Sequence, residues 1–189
     1  MKHDHPDKII FLDIDGVLNL TPERFLLFNK QAMKYLEDII EATGAKIVVS
    51  SSWRCENHES MTQDFITHGC TQKILDAIIG ITVRGYSYVK KGSDLPIVRG
   101  NEIKQWIDTH LKYPWHHDPK LDEQYKIYGE DGSFKMMDHN TLRKDYSYVI
   151  LDDDIDMLYD QRNNFINTNA DTGITQAHVK EAIRILNYK

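Results

Sequence analysis

The chain changes rhythm repeatedly, from short unbroken apolar runs to stretches in which apolar residues return every three or four positions. "KIIFL" reads as a first strand. After Thr21-Pro22, a favourable helix opening, "ERFLLFNKQAMKYLEDIIEATG" places Met33, Leu36, Ile39 and Ile40 on one face and stops at Gly44. "AKIVVS" predicts the second strand, and "QKILDAIIGITVRG" a helix end followed by a strand. Asn101 is placed to cap "EIKQWIDTHL", where Ile103, Trp106, Ile107 and Leu111 share a face. "YSYVIL" is the third clear strand and "NNFINT" a further candidate, and after "DTG" a last helix buries Val179, Ala182, Ile183 and Leu186. Strands alternating with helices in this way are the signature of an α/β domain with a mostly parallel sheet.

Between Lys112 and Tyr146 the rhythm fails, and acids and bases mix with Tyr, Trp and His. A segment of this kind inside a compact domain reads as an insertion. The 189 residues fit a single domain with that embellishment. No apolar run approaches the roughly 18–20 residues that span a bilayer, and "MKHDHPDK" lacks the apolar stretch of a signal peptide, so a cytoplasmic protein with no membrane segment is expected. Cys55 and Cys70 are too few for a disulfide framework and lack zinc-type spacing. A net charge of −6 argues against extended nucleic-acid binding, which draws on Lys and Arg to neutralise phosphates.

The chemistry gathers where the strands end. In open α/β sheets, ligands bind outside the carboxyl ends of the strands. Three predicted strands end there in polar sets: Asp13-x-Asp15, Ser50-Ser51-Ser52 and Asp152-Asp153-Asp154. Crowded carboxylates repel one another unless a cation neutralises them or one takes up a proton. Mg²⁺ suits the first remedy, because it takes oxygen ligands, while hydroxyls offer donors to phosphate oxygens.

"FLDIDGVLN", "IVVSSSWR" and "YVILDDDIDM" resemble the motifs of the haloacid dehalogenase (HAD) superfamily of phosphatases. "SSSWR", "RGNEIKQWI" and the closing "NTNADTGITQ" are most similar to a small branch that includes phosphatase domains of RNA-repair proteins. The resemblance runs from about Lys8 to the C-terminus, excluding Lys112 to Tyr146. It implies a Rossmann-like three-layer α/β/α sandwich with a minimal cap and one insertion before the last motif. It further implies that Asp13 is the nucleophile of an aspartyl-phosphate mechanism and Asp15 the general acid and base. Ser50, with Ser51 beside it, would bind phosphate, and Asp13, Asp15, Asp152 and Asp153 would hold Mg²⁺. The basic residue that neutralises the phosphoryl group is assigned to Arg99, with Lys90, Lys91 and Arg54 as rivals.

Other readings are weaker. Neither acid cluster fits a calcium loop, because Val17 stands at the fifth position from Asp13, and Met157 and Asn163 at the sixth and twelfth from Asp152. Asp171-Thr172-Gly173 reads as a turn rather than a protease triplet. His110, His116, His117 and His139 read as exposed polar residues, and the cysteines as packing residues.

About one helix separates Asp15 from Ser50, and the span from Arg54 to Arg99 is short for a full cap. An open site for a macromolecular phosphate is therefore expected. A phosphoprotein, including phosphotyrosine, ranks ahead of a nucleic-acid 3′-phosphate on the acidic balance. A small-molecule phosphatase and a phosphate-binding module without turnover are the alternatives. The insertion's aromatics, Tyr113, Trp115, Tyr125, Tyr128, Phe134 and Tyr146, would either stack on a substrate ring or form a satellite core.

Overall fold

A computed structural model describes residues 7–21, 27–54, 58–83, 98–112 and 145–188. In chain order these form β1 (Lys8–Leu12), α1 (Lys30–Thr43), β2 (Lys46–Val49), α2 (His58–Thr67), α3 (Gln72–Ala77), β3 (Ile78–Ile81), α4 (Arg99–Ile107), β4 (Ser147–Asp152), β5 (Phe165–Asn167) and α5 (Gln176–Asn187). A π-helical turn over Asp108–Lys112 continues α4, and a 3₁₀ turn over Tyr159–Gln161 precedes β5. The five strands make one parallel sheet in the order β3-β2-β1-β4-β5. The expected α/β architecture with a parallel sheet is what the chain adopts.

Side-chain alternation along β1 explains the layers, since successive residues of a strand face opposite sides. Ile10 and Leu12 join the larger apolar cluster with Met33, Leu36 and Ile39 of α1, Met61 and Phe65 of α2, and Val179 and Leu186 of α5. Ile9 and Phe11 join the other, against Ile103, Trp106 and Ile107 of α4. Apolar on both faces, β1 reads as an unbroken run for a physical reason.

Some boundaries differ from expectation. Helix α1 begins at Lys30 rather than near Pro22: Leu27 to Asn29 are not helical, and the Asn29 side chain caps the helix by accepting from the N–H groups of Gln31 and Ala32. Its end is as expected, at Gly44 in the left-handed conformation with φ 69°. Helix α4 begins at Arg99, so Asn101 lies in its first turn instead of capping it. Ile183 is half-buried on α5, while Ile185 is buried. Most of the expected insertion, residues 113–144, lies outside the described residues, as do Lys90, Lys91, Cys55, His116, His117 and His139. Among the described residues no helix is long and apolar enough to cross a membrane.

Candidate active site

The order of the sheet runs outward from β1 in both directions, through β2 to β3 and through β4 to β5, so the switch point lies between β1 and β4. Beyond the strand ends the parallel ladder continues for one more residue. Asp13 N–H donates to Leu151 O at 2.9 Å, Ser50 N–H to Leu12 O at 2.8 Å, and Thr82 N–H to Val49 O at 3.0 Å. The register therefore aligns Thr82, Ser50, Asp13 and Asp152 in one row across the sheet. By alternation Asp13 shares the side of Ile9 and Phe11, the side on which α4 packs.

Arg99, the first residue of α4, reaches this row. Its Nη1 lies 3.3 Å from Asp13 Oδ1 and also donates to Ser50 O, while its Nε lies 3.7 Å from Asp152 Oδ2. The basic residue assigned from sequence is thus in the site. Its rival Arg54 is committed elsewhere, in a buried pair with Glu102 at 2.7 Å.

The turn after β1 explains the D-x-D-G spacing. Ile14 is wholly buried, which anchors the backbone and leaves Asp13 and Asp15 on either side of it. Ile14 O accepts from Leu18 and Asn19 N–H, both at 2.9 Å, and closes the turn. Gly16 has φ 70°, and a Cβ there would stand 2.2 Å from Cγ of Asp153. Only glycine permits both this backbone and the approach of Asp153. The expected turn at Asp171-Thr172-Gly173 braces the same loop, with Thr21 N–H donating to Ala170 O at 2.8 Å and Ile174 N–H to Val17 O at 3.2 Å.

Among the described residues, Asp13, Asp152 and Asp153 form a group whose carboxylate oxygens lie within 4.8 Å of one another. The fourth acid expected there, Asp15, lies outside this group; its Oδ1 accepts from Asn19 Nδ2 at 2.7 Å. Burial, above all, raises the proton affinity of Asp13, against the pull of Arg99, a hydrogen bond from Ser51 and one from the Ile14 N–H. Asp152 is raised further, first by burial and then by the charge of Asp13 beside it. One Asp152 oxygen accepts from Asp154 N–H at 3.0 Å, but the other, Oδ2, is buried and has no hydrogen-bond donor among the described residues. An all-oxygen set with a buried orphaned carboxylate oxygen fits a hard divalent cation.

The two neighbouring serines make different contacts. It is the Ser51 hydroxyl that bonds to Asp13, while its oxygen accepts from Trp53 N–H at 3.2 Å. Ser50 Oγ instead accepts from Thr82 Oγ1 at 3.2 Å, and its carbonyl receives Arg99. Cys70 is half-buried, and burial pushes its thiol up to about 12, in keeping with a packing residue. His110, expected as an exposed polar residue, is instead half-buried, because its ring stacks on Trp106 with centroids 4.4 Å apart; it is not part of the acidic group.

Sequence reasoning missed Thr82, Glu102 and Asp156. Thr82 follows an apolar run, as the other site residues do, and that signal was present. Glu102 is a charged residue four positions before Trp106 on the apolar stripe of a helix, and is buried there.

With this geometry in view, a family model matches residues 9–126, the HAD domain in Swiss Army Knife RNA repair proteins. The chain belongs to this family. The match runs from β1 through the helix that carries Arg99, and Asp152 and Asp153 lie beyond it, brought back to Asp13 by the sheet order. No curated protein and no solved structure matches the chain. As a HAD domain it is a phosphatase-type hydrolase, and its buried acidic group suits the divalent metal common in that superfamily.

Proposed function

We propose that the protein is a Mg²⁺-dependent phosphomonoester hydrolase that works through an aspartyl-phosphate on Asp13. The observation that carries this reading is the convergence on Asp13 of two further carboxylates, a guanidinium and a hydroxyl at the switch point of the sheet. Asp13, Asp152 and Asp153 would hold the cation. When bound, it would neutralise their charge and withdraw charge from the phosphoryl oxygens.

In the first step a carboxylate oxygen of Asp13 bonds to phosphorus as the bond to the leaving oxygen breaks, and that oxygen departs with its electron pair and takes a proton from Asp15. In the second step water bonds to phosphorus and gives a proton to Asp15. The acyl-phosphate P–O bond then breaks, inorganic phosphate leaves, and Asp13 returns as a carboxylate. Arg99 and Ser51 stand beside the nucleophile, where donors stabilise charge on the transferring group; one such donor is worth ~10²–10³ in rate in other enzymes.

For the substrate, the family description moves an RNA-end phosphate ahead of a phosphoprotein. A single terminal phosphate asks for no long basic track, so a net charge of −6 is compatible with it. The test is release of inorganic phosphate from a 3′-phosphorylated RNA oligonucleotide, a 5′-phosphorylated one, a phosphotyrosine peptide and a nucleoside monophosphate, each with Mg²⁺ and with chelator. Faster Mg²⁺-dependent release from an RNA end is expected. Preference for the peptide would restore the phosphoprotein reading, and preference for the nucleotide would indicate a small-molecule enzyme.

A further inference from the structure

Behind the acidic row lies a second buried ion pair, which the reaction above does not use. Arg54, just past β2, and Glu102, on α4, meet at 2.7 Å with side-chain exposures of 7% and 8%. The Arg54 guanidinium does more than pair: its Nε donates to Ser51 O at 2.6 Å, and its Nη1 to Thr82 O at 3.2 Å and to Thr82 Oγ1. Thr82 Oγ1 in turn donates to Ser50 Oγ. One guanidinium therefore gathers the ends of β2 and β3 and the flank of α4.

Glu102 sits three positions after Arg99, so the two lie on neighbouring positions of one helical face. Helix α4 is fastened to the serine turn twice, by Arg99 on Ser50 O and by Glu102 through Arg54 on Ser51 O. A buried pair gives little net stability compared with apolar residues of the same volume. Its directed hydrogen bonds, by contrast, fix distances between elements, and here those elements carry Arg99, Ser50 and Ser51.

We propose that Arg54, Glu102 and Thr82 are positioning residues that set the Arg99 guanidinium and the serine turn relative to each other; as a role in catalysis, this rests on the phosphatase reading. The test uses Glu102→Gln, Arg54→Lys and Thr82→Val in the full chain. Thr82→Val is near-isosteric, keeps the ion pair and covers the case in which a charge variant fails to fold. Three readouts are compared: thermal melting, kcat and KM for p-nitrophenyl phosphate, and the Nε–H NMR signal of Arg99, assigned with Arg99→Lys.

In folded Glu102→Gln and Arg54→Lys, kcat should fall about 10- to 100-fold with KM changed less than about threefold, as for a small misplacement of groups that act in the transition state. Thr82→Val should lose about fivefold in kcat by the same argument. In all three the Arg99 signal should shift or broaden. A wild-type Arg99 signal in the folded variants would overturn the proposal, as would a loss of rate that only follows the loss of folded protein. If wild-type protein shows no turnover, the phosphatase reading fails, while the Arg99 signal still decides whether these residues position it.

Discussion

Burial gives Asp152 its most testable property. Its carboxyl is moved from 3.8 to about 8, so the folded, metal-free chain prefers the protonated form and binds more protons than the unfolded chain. Stability then falls as pH rises from the ordinary carboxylate range toward about 8, and is lowest above it. Between pH 5 and pH 8.5 the melting temperature of chelator-treated protein should drop by about 3–8 °C. Added Mg²⁺ should raise it more at the upper pH, because the cation competes with the proton for the same oxygens. A melting temperature insensitive to both would contradict this account of the acidic group. Asp152→Asn removes the charge that Asp13 opposes. It should stabilise metal-free protein by about 1 kcal/mol, flatten the pH profile and abolish the response to Mg²⁺, all readable in the same melts.

Among the elements, α4 shows most clearly how the fold serves the site. Its first N–H groups are satisfied from a distant part of the chain, Arg99 N–H donating to Asp156 Oδ2 at 2.8 Å and Gly100 N–H to Asp156 O at 3.4 Å, while Gln161 Nε2 donates to the Gly100 carbonyl at 2.9 Å. Asp156→Ala should cost about 1 kcal/mol in denaturant unfolding, the usual value of a cap, and should lower kcat through Arg99. A Cβ at Gly100 would stand 2.5 Å from Leu158 N. Gly100→Ala should accordingly destabilise by about 1–3 kcal/mol, the range for forced overpacking, and an unchanged unfolding midpoint would show that the loop can yield.

These contacts also explain what the sequence displayed and what it hid. Strand runs and the apolar stripes of α1, α4 and α5 are local patterns, and each led to an element of the right kind. The start of α4 was not local: Asp156, which caps it, is 57 positions away, so Asn101 looked like the better cap. At α1, Leu27 and Phe28 keep the helical rhythm only by chance, since Phe28 packs on Trp53 and Phe65 instead.

At the scale of the molecule, the sheet order makes the site. The acids at 13 and 152–153 are legible as a pair of motifs, and so is the hydroxyl-rich end of β2. That Thr82 stands in the same row, and that Arg54 faces Glu102, depends on register between strands far apart in sequence, which no single segment records. The division between Ser50 and Ser51 has the same origin, because only the neighbours decide which hydroxyl meets Asp13.

The central claim is that Asp13, with a divalent cation held by its neighbours, performs phosphoryl transfer. The measurement that tests it most directly is hydrolysis of p-nitrophenyl phosphate by the intact protein and by Asp13→Asn, each with Mg²⁺ and with chelator. Turnover should need both the cation and Asp13, with Asp13→Asn slower by at least about 10³-fold at an unchanged fold, as expected when a covalent nucleophile is removed. Turnover that survives Asp13→Asn, or that ignores chelation, would contradict it.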